Sequence, residues 1–280
     1  MNLSVSKLLI LGFVFVQLRQ GNSEEVSSLS RRHVSCQQAL KRLETKLDSK
    51  LNAIKANIDS LLLEKNNLCK AAKNCVDILK CGGKTSGVYT VKPFSRFDAF
   101  KVYCDQTTAG GGWAVFQRRR DGSVDFYRGW STYKHGFGHV MGEFWLGLDK
   151  INLLTHQTRN KLRVDMMDWH GNTKFAEYSY FSVAAERSKY VLGLGRYSGT
   201  AGDSLSYHRG SPFSTKGRDN DAYGRNCAVD YKGAWWFKSC YNSHLNGEYR
   251  TSGDAVAWKA FSTSLKRSEM KIRPTDFIPK

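Results

Sequence analysis

The sequence predicts an α+β domain preceded by a short coiled-coil stalk. Three observations carry that prediction: short apolar–polar alternations among glycine-rich turns, a heptad-like apolar seam near the start, and seven cysteines behind an apolar leader. The 280 residues leave ample chain to bury a core. Seven Trp, 13 Tyr and 15 Phe are too many aromatics for a solvated tail, and 25 Gly against 4 Pro excludes proline-rich spacers.

The first element is the leader. Lys7 precedes the apolar run Leu8 to Val16, and Gly21-Asn22-Ser23 supplies small residues for cleavage, so residues 1–23 read as a secretory signal. The run is too short to span a bilayer, and no later stretch is long and apolar enough, so no membrane span is expected. A secreted, extracellular chain follows. Loss of Lys7 and Arg19 lowers the formal charge from +18 to +16, enough to attract anionic surfaces at a distance.

Residues 24–70 form the stalk candidate. No Gly or Pro occurs between residues 36 and 69, and Leu40, Leu43, Leu47, Leu51, Ile54, Ile58 and Leu61 recur in steps of three and four, with Lys65 breaking the seam before Leu68. So narrow an apolar stripe gains stability by self-association, which makes a homo-oligomer the expected state, or else by lying as an amphipathic helix on the globular domain. Outside the cell cysteines form disulfides, and an odd count leaves at least one free or bonded to another chain.

Residues 71–280 carry the α+β texture. Trp113 to Gln117, Lys161 to Met166 and Lys174 to Tyr178 alternate as half-buried strands, and Asp149 to Thr155 reads as a short helix. Residues 196–254 accumulate Gly, Ser, Asp and Asn and predict a loop-built subregion, where binding groups tend to sit.

Catalytic motifs are missing. Gly195-Arg196-Tyr197-Ser198-Gly199 fails the GxSxG turn by one place, Gly193-Leu194-Gly195 lacks the third glycine of a dinucleotide loop, and His135 and His139 have glycines between them and no metalloprotease glutamate. No enzyme is expected. Within Arg218 to Cys227, Asp219 and Asp221 stand two residues apart in a glycine-containing turn. Hard oxygens at that spacing suit calcium, and equally an Asx-rich surface turn. Cys227 and Cys240 then enclose Tyr231, Gly233, Ala234, Trp235, Trp236 and Phe237, with Tyr241 after them. Closed by a disulfide, a loop of this size contributes about 3 kcal/mol, and its aromatics could either wall a small pocket or be core.

The chain also carries Gly110-Gly111-Gly112-Trp113, Val115-Phe116-Gln117-Arg118-Arg119, Gly142-Glu143-Phe144-Trp145-Leu146-Gly147, Asn226-Cys227-Ala228, Gly233-Ala234-Trp235-Trp236, Leu245-Asn246-Gly247 and Ser268 to Pro274 in that order. On these motifs residues 75–274 resemble a fibrinogen C-terminal-like domain of the ficolin and tachylectin kind. The resemblance implies a central mixed or antiparallel sheet with a loop-rich calcium-binding subregion. It implies bridges Cys75–Cys104 and Cys227–Cys240, leaving Cys36, Cys69 and Cys81 for interchain or free roles. The implied Ca2+ ligands are the carboxylates of Asp219 and Asp221 and the carbonyls of Tyr223 and Arg225. The implied sugar site uses Cys240 and Tyr241 as NH donors after a cis Ser239–Cys240 peptide, with Tyr231 and Trp236 beside them. Tyr241 stands where many lectin members carry His, and Tyr249 to Trp258 is shorter than in ficolins and lacks a wall aromatic.

The implied function is a secreted, calcium-dependent pattern-recognition lectin for acetylated or anionic glycans on microbial surfaces, made multivalent by its stalk. The other reading is an angiopoietin-like ligand for a receptor protein; no nucleic acid partner is expected.

Overall fold

The computed structural model describes residues 23–70, 72–94, 98–253 and 255–279. The signal expected over 1–23 therefore lies outside the described residues, apart from Ser23. The chain divides between Glu64 and Lys65 into two compact units.

Helix α1, Ser23–Lys70, is 48 residues long. It begins well before the apolar seam because nothing from Ser23 onward breaks a helix: Gly and Pro are absent throughout. Within the single chain Leu40, Leu43, Leu47, Leu51, Ile54, Ile58 and Leu61 are all more than half exposed. Such a run of exposed apolar side chains in water is an unfavourable arrangement for one helix alone.

In the second unit, α2 (Cys75–Lys80) leads into β1 (Gly87–Val91), β2 (Phe100–Asp105) and β3 (Trp113–Arg119). Asn74 caps α2, its Oδ1 accepting from the amides of Val76 (2.9 Å) and Asp77 (3.1 Å). Next come α3 (Trp130–His135), the short strands β4 (Phe137–Gly138) and β5 (Phe144–Trp145), and α4 (Leu148–Gln157). The expected helix from Asp149 to Thr155 falls inside α4. The long strands β6 (Asn160–Asp168) and β7 (Thr173–Val183) follow, then β8 (Leu192–Leu194) and β9 (Tyr197–Gly199). The loop-rich part holds α5 (Cys227–Asp230), β10 (Ser243–His244) and β11 (Ala257–Trp258) before β12 (Leu265–Pro274).

The main sheet runs β1-β2-β3-β12-β6-β7-β8, with β5 on β3, β4 on β5 and β9 on β7. Every pairing in it is antiparallel. The sheet is thus antiparallel where mixed or antiparallel was expected. Strand β6 shows why one face is buried: Leu162, Val164 and Met166 alternate with half-exposed Arg163, Asp165 and Met167. Strand β12 lies between β3 and β6, so the sheet's centre is contributed from late in the chain.

Buried polar groups tie the loop-built region to this sheet. Gln117, fully buried on β3, donates from Nε2 to the Leu245 carbonyl (2.9 Å) and to Asn246 Oδ1 (3.3 Å). Arg119 donates to the carbonyl of Gly247 (2.6 Å), and Asn246 Nδ2 donates to that of Ala234 (3.1 Å). Each bond satisfies a group that would otherwise cost about 1–3 kcal/mol to bury. Glu143 has the same kind of role. Its carboxylate accepts the amides of Arg120 (2.6 Å), Asp121 (3.1 Å), Gly122 (3.0 Å) and Val124 (3.1 Å), so this buried acid holds a turn.

Candidate functional site

The site is built from two turns fastened to each other. Asn220 starts the first: its amide donates to Ser214 Oγ (2.9 Å) and its Nδ2 to the Phe213 carbonyl (2.8 Å). Asp219 Oδ1 accepts from the Asp221 amide (3.1 Å), and Asp221 accepts from the amides of Tyr223 (2.9 Å) and Cys227 (3.0 Å). Asn226 caps α5 through the amides of Ala228 and Val229 and holds Thr215 O with its Nδ2 (3.1 Å). The Ala222 amide donates across to the Lys238 carbonyl (3.0 Å), joining this turn to the segment that ends at Cys240.

Asp221 is half-buried, and its carboxyl is pushed above the usual range, first by burial and further by the neighbouring Asp219 charge, against the pull of two backbone amides. Two hard carboxylates that repel each other are a donor set that fits a divalent cation. Tyr223 and Arg225 follow in the same exposed turn, where their carbonyls could join the set; the Arg225 guanidinium pairs with Asp230 (3.1 Å). Such oxygens are of the type calcium takes, although among the described residues no three or more His, Cys, Asp or Glu side chains are grouped so as to hold a metal ion. Bound there, calcium would neutralise the pair and hold the turn.

The second turn is closed by Cys227–Cys240, with Cα atoms 5.4 Å apart. The Ser239–Cys240 peptide is trans, contrary to the cis bond implied by the resemblance. A trans bond is about 3–4 kcal/mol cheaper for a non-proline residue. The constraint appears instead in Cys240, at φ +35°, and in Lys232, at φ +47°, which bracket the aromatic run. Gly233 is required between them, because a Cβ there would lie 2.4 Å from His244 Nε2 and 2.5 Å from the Asn246 carbonyl.

The structure brings Tyr231, Cys240 and Tyr241 to one place: the two tyrosine rings meet edge to face at 4.9 Å, Tyr231 half-buried and Tyr241 nearly covered. Trp236 is the correction. It is fully buried against Phe213 (5.2 Å) and Trp235 (5.2 Å), and its indole N–H donates to the Tyr190 carbonyl (2.8 Å), so it supports the site from the core and is no wall. A ring this large gains more from burial than from lining an open pocket.

Sequence reasoning missed His208. Fully buried, it donates from Nδ1 to the Trp236 carbonyl (2.7 Å), while Nε2 accepts the amides of Asn242 (3.2 Å) and Ser243 (3.1 Å). That arrangement needs a neutral imidazole, and burial holds its pKa down at about 4. Tyr207 adds a second tie, donating to the Ser239 carbonyl (3.2 Å). No local pattern marks either residue, since both act on backbone about thirty positions away.

Cys75–Cys104 is bonded, with Cα atoms 5.5 Å apart. Cys69 and Cys81, expected as interchain or free, are bonded to each other, with Cα atoms 5.6 Å apart. The C-terminus of α1 and the end of α2 meet at bonding distance, which leaves Cys36 as the free cysteine, exposed on α1, among the described residues.

Residues 71–275 match the family described as fibrinogen beta and gamma chains, C-terminal globular domain. The chain belongs to this family. It is 48% identical over 213 residues to human Fibrinogen C domain-containing protein 1, a match covering 71% of this chain and 46% of that protein. Human Tenascin-R is 50% identical over 208 residues, covering 72% of this chain and 15% of that one. Among solved structures, the fibrinogen-like globe domain of human ANGPTL2 superposes with a TM-score of 0.71 at 47% identity, covering 73% of this chain and 99% of that chain. The chain thus spans less than half the length of the two full-length relatives. The fibrinogen C-terminal domain family is one of non-enzymatic binding proteins. Among the described residues no helix is long and apolar enough to cross a membrane.

Proposed function

We propose that this chain is a secreted, calcium-dependent lectin that recognises acetylated or anionic glycans on microbial surfaces and gains avidity by oligomerising through α1. The observation that supports it best is the fastening of the two turns. Asp221 bonds the Cys227 amide, and Ala222 bonds Lys238, so order imposed at the carboxylate pair passes directly to the backbone around Cys240 and Tyr241. A shallow sugar site binds weakly, and several heads on one stalk raise avidity by about 100 to 10,000-fold when targets match their spacing. The exposed seam of α1 and the exposed thiol of Cys36 supply a means of association.

A second reading has its own support. Tyr241 and Trp236 are buried, which leaves little open pocket, and the likeness to the ANGPTL2 globe domain favours a ligand that presents this domain to a protein receptor. Retention on N-acetylglucosamine beads at ~0.5 M salt, where exposed charge attraction is strongly screened, separates the two. Release by acetate and by a calcium chelator is expected of the lectin, with loss of retention in Asp219→Asn/Asp221→Asn. Absence of retention in calcium-loaded wild type would overturn the acetyl-directed reading.

A further inference from the structure

A groove of about 650 Å³ crosses the sheet face opposite the core, away from the disulfide loop. Strand alternation creates it. With Leu162, Val164 and Met166 turned to the core, Arg163, Asp165 and Met167 take the other face, and register sets Asp165 beside Glu269 of β12 and Phe175 of β7. Glu269 in turn stands beside Arg118 of β3.

Beneath and along this groove the charges are committed to one another, three cations to four carboxylates. Lys271, 2% exposed, lies 2.7 Å from Asp105, 2.8 Å from Asp165 and 2.9 Å from Glu269. Arg118 pairs with Glu269 (2.6 Å), and Arg163 with Asp165 (2.7 Å) and Glu177 (2.8 Å). The rim differs. Arg120, Lys174 and Arg267 are all exposed. Among the described residues, Lys174 and Arg267 have no carboxylate within 4.0 Å, and Arg120 has only its neighbour Asp121 at 3.9 Å, both side chains half exposed. Met141, half exposed, adds an apolar wall.

We infer that this groove binds a linear sulfated polysaccharide without calcium, at a site separate from the Asp219–Asp221 turn. Paired charges below and, along the edge, cations with no close carboxylate, Lys174 resting over the Phe261 ring at 4.8 Å, suit a chain whose anions are spaced along its length, with the apolar faces of its rings over Met141. The volume falls within the range of about 300–1,000 Å³ for small-ligand sites, room for a short run of sugars. The groove's rings disfavour nucleic acid, since Tyr103 carries Arg118 at 4.1 Å and Phe175 carries Arg163 at 4.1 Å, where bases would stack.

The test measures binding of the full chain to an immobilised heparin hexasaccharide at ~0.15 M salt, with calcium and with chelator. Arg120→Gln/Lys174→Gln/Arg267→Gln should lose at least ~10-fold in affinity and show a shallower salt dependence, because fewer counterions are released. Lys80→Gln/Lys84→Gln/Lys92→Gln removes equal charge elsewhere and should stay within ~2-fold of wild type. Asp219→Asn/Asp221→Asn and chelator should leave heparin binding unchanged whatever becomes of bead retention, so the two sites can fail separately. Unaltered melting of each variant confirms that folding is intact. Equal loss in both triple variants would overturn the groove in favour of diffuse charge, as would loss on chelation in favour of the calcium turn. More effective competition by a single-stranded RNA homopolymer of equal charge would overturn the ligand class.

Discussion

His208 shows how one side chain can hold a whole loop. Its Nε2 accepts two amides, so a proton there would set an N–H against two N–H donors. Burial lowers its pKa from 6.5 to about 4, so the unfolded chain takes up the proton first. The stabilisation is fully present above pH 6.5 and is lost as pH falls towards 4, an effect on the order of 3 kcal/mol. Buried His244, lowered to about 3, acts with the same sign. Denaturant melts from pH 7 to 4 should show this slope, flattened and starting from lower stability in His208→Gln; an unchanged slope in that variant would contradict the assignment. Gly233→Ala tests the same loop sterically. Backbone at 2.5 Å cannot yield cheaply, so a loss of about 1–3 kcal/mol is expected in chemical denaturation.

At the level of elements, local periodicity was legible and distant partnership was not. The seam of α1, the alternation in β6 and β7 and the position of α4 all follow from neighbours within a few residues, whereas β3, expected to be half-buried, is buried on both faces because the loop-built region covers its second side. Gln117 and the Leu245 carbonyl are 128 residues apart, and His208 and the Trp236 carbonyl 28, so no reading of periods could join them. The Asp219–Asp221 turn was legible as a cation candidate through spacing and resemblance, but the burial of Trp236 depends on aromatics from three other segments, Trp145, Phe181 and Phe213. The Cys69–Cys81 pairing was unreadable because an odd cysteine count does not say which one is left over. It makes a countable prediction: thiol titration of the unfolded chain should find one thiol when Cys36 is free and none when Cys36 is bonded to another chain. Cys69→Ser/Cys81→Ser should cost about 3 kcal/mol of stability, the value for a loop of this length. Leu47→Glu should lower the oligomer mass seen by sedimentation, because a charge would enter the seam.

Across the whole molecule, calcium should act as a stabilising ligand. A cation that binds only the folded chain raises stability by mass action, about 2.7 kcal/mol at one hundred times its dissociation constant. Melting temperature should climb with calcium in wild type and stay flat in Asp219→Asn/Asp221→Asn; parallel curves would place any calcium elsewhere. The central position of β12 has a separate consequence, for biosynthesis. The other eleven described strands leave the ribosome while the gap between β3 and β6 is still open, exposing two unpaired edges from the completion of β6 at Asp168 until β12 begins at Leu265. A nascent chain in that state depends on chaperones, and a frameshift anywhere before Leu265 yields a product without its central strand, a ready substrate for quality-control proteolysis rather than a shortened but working protein.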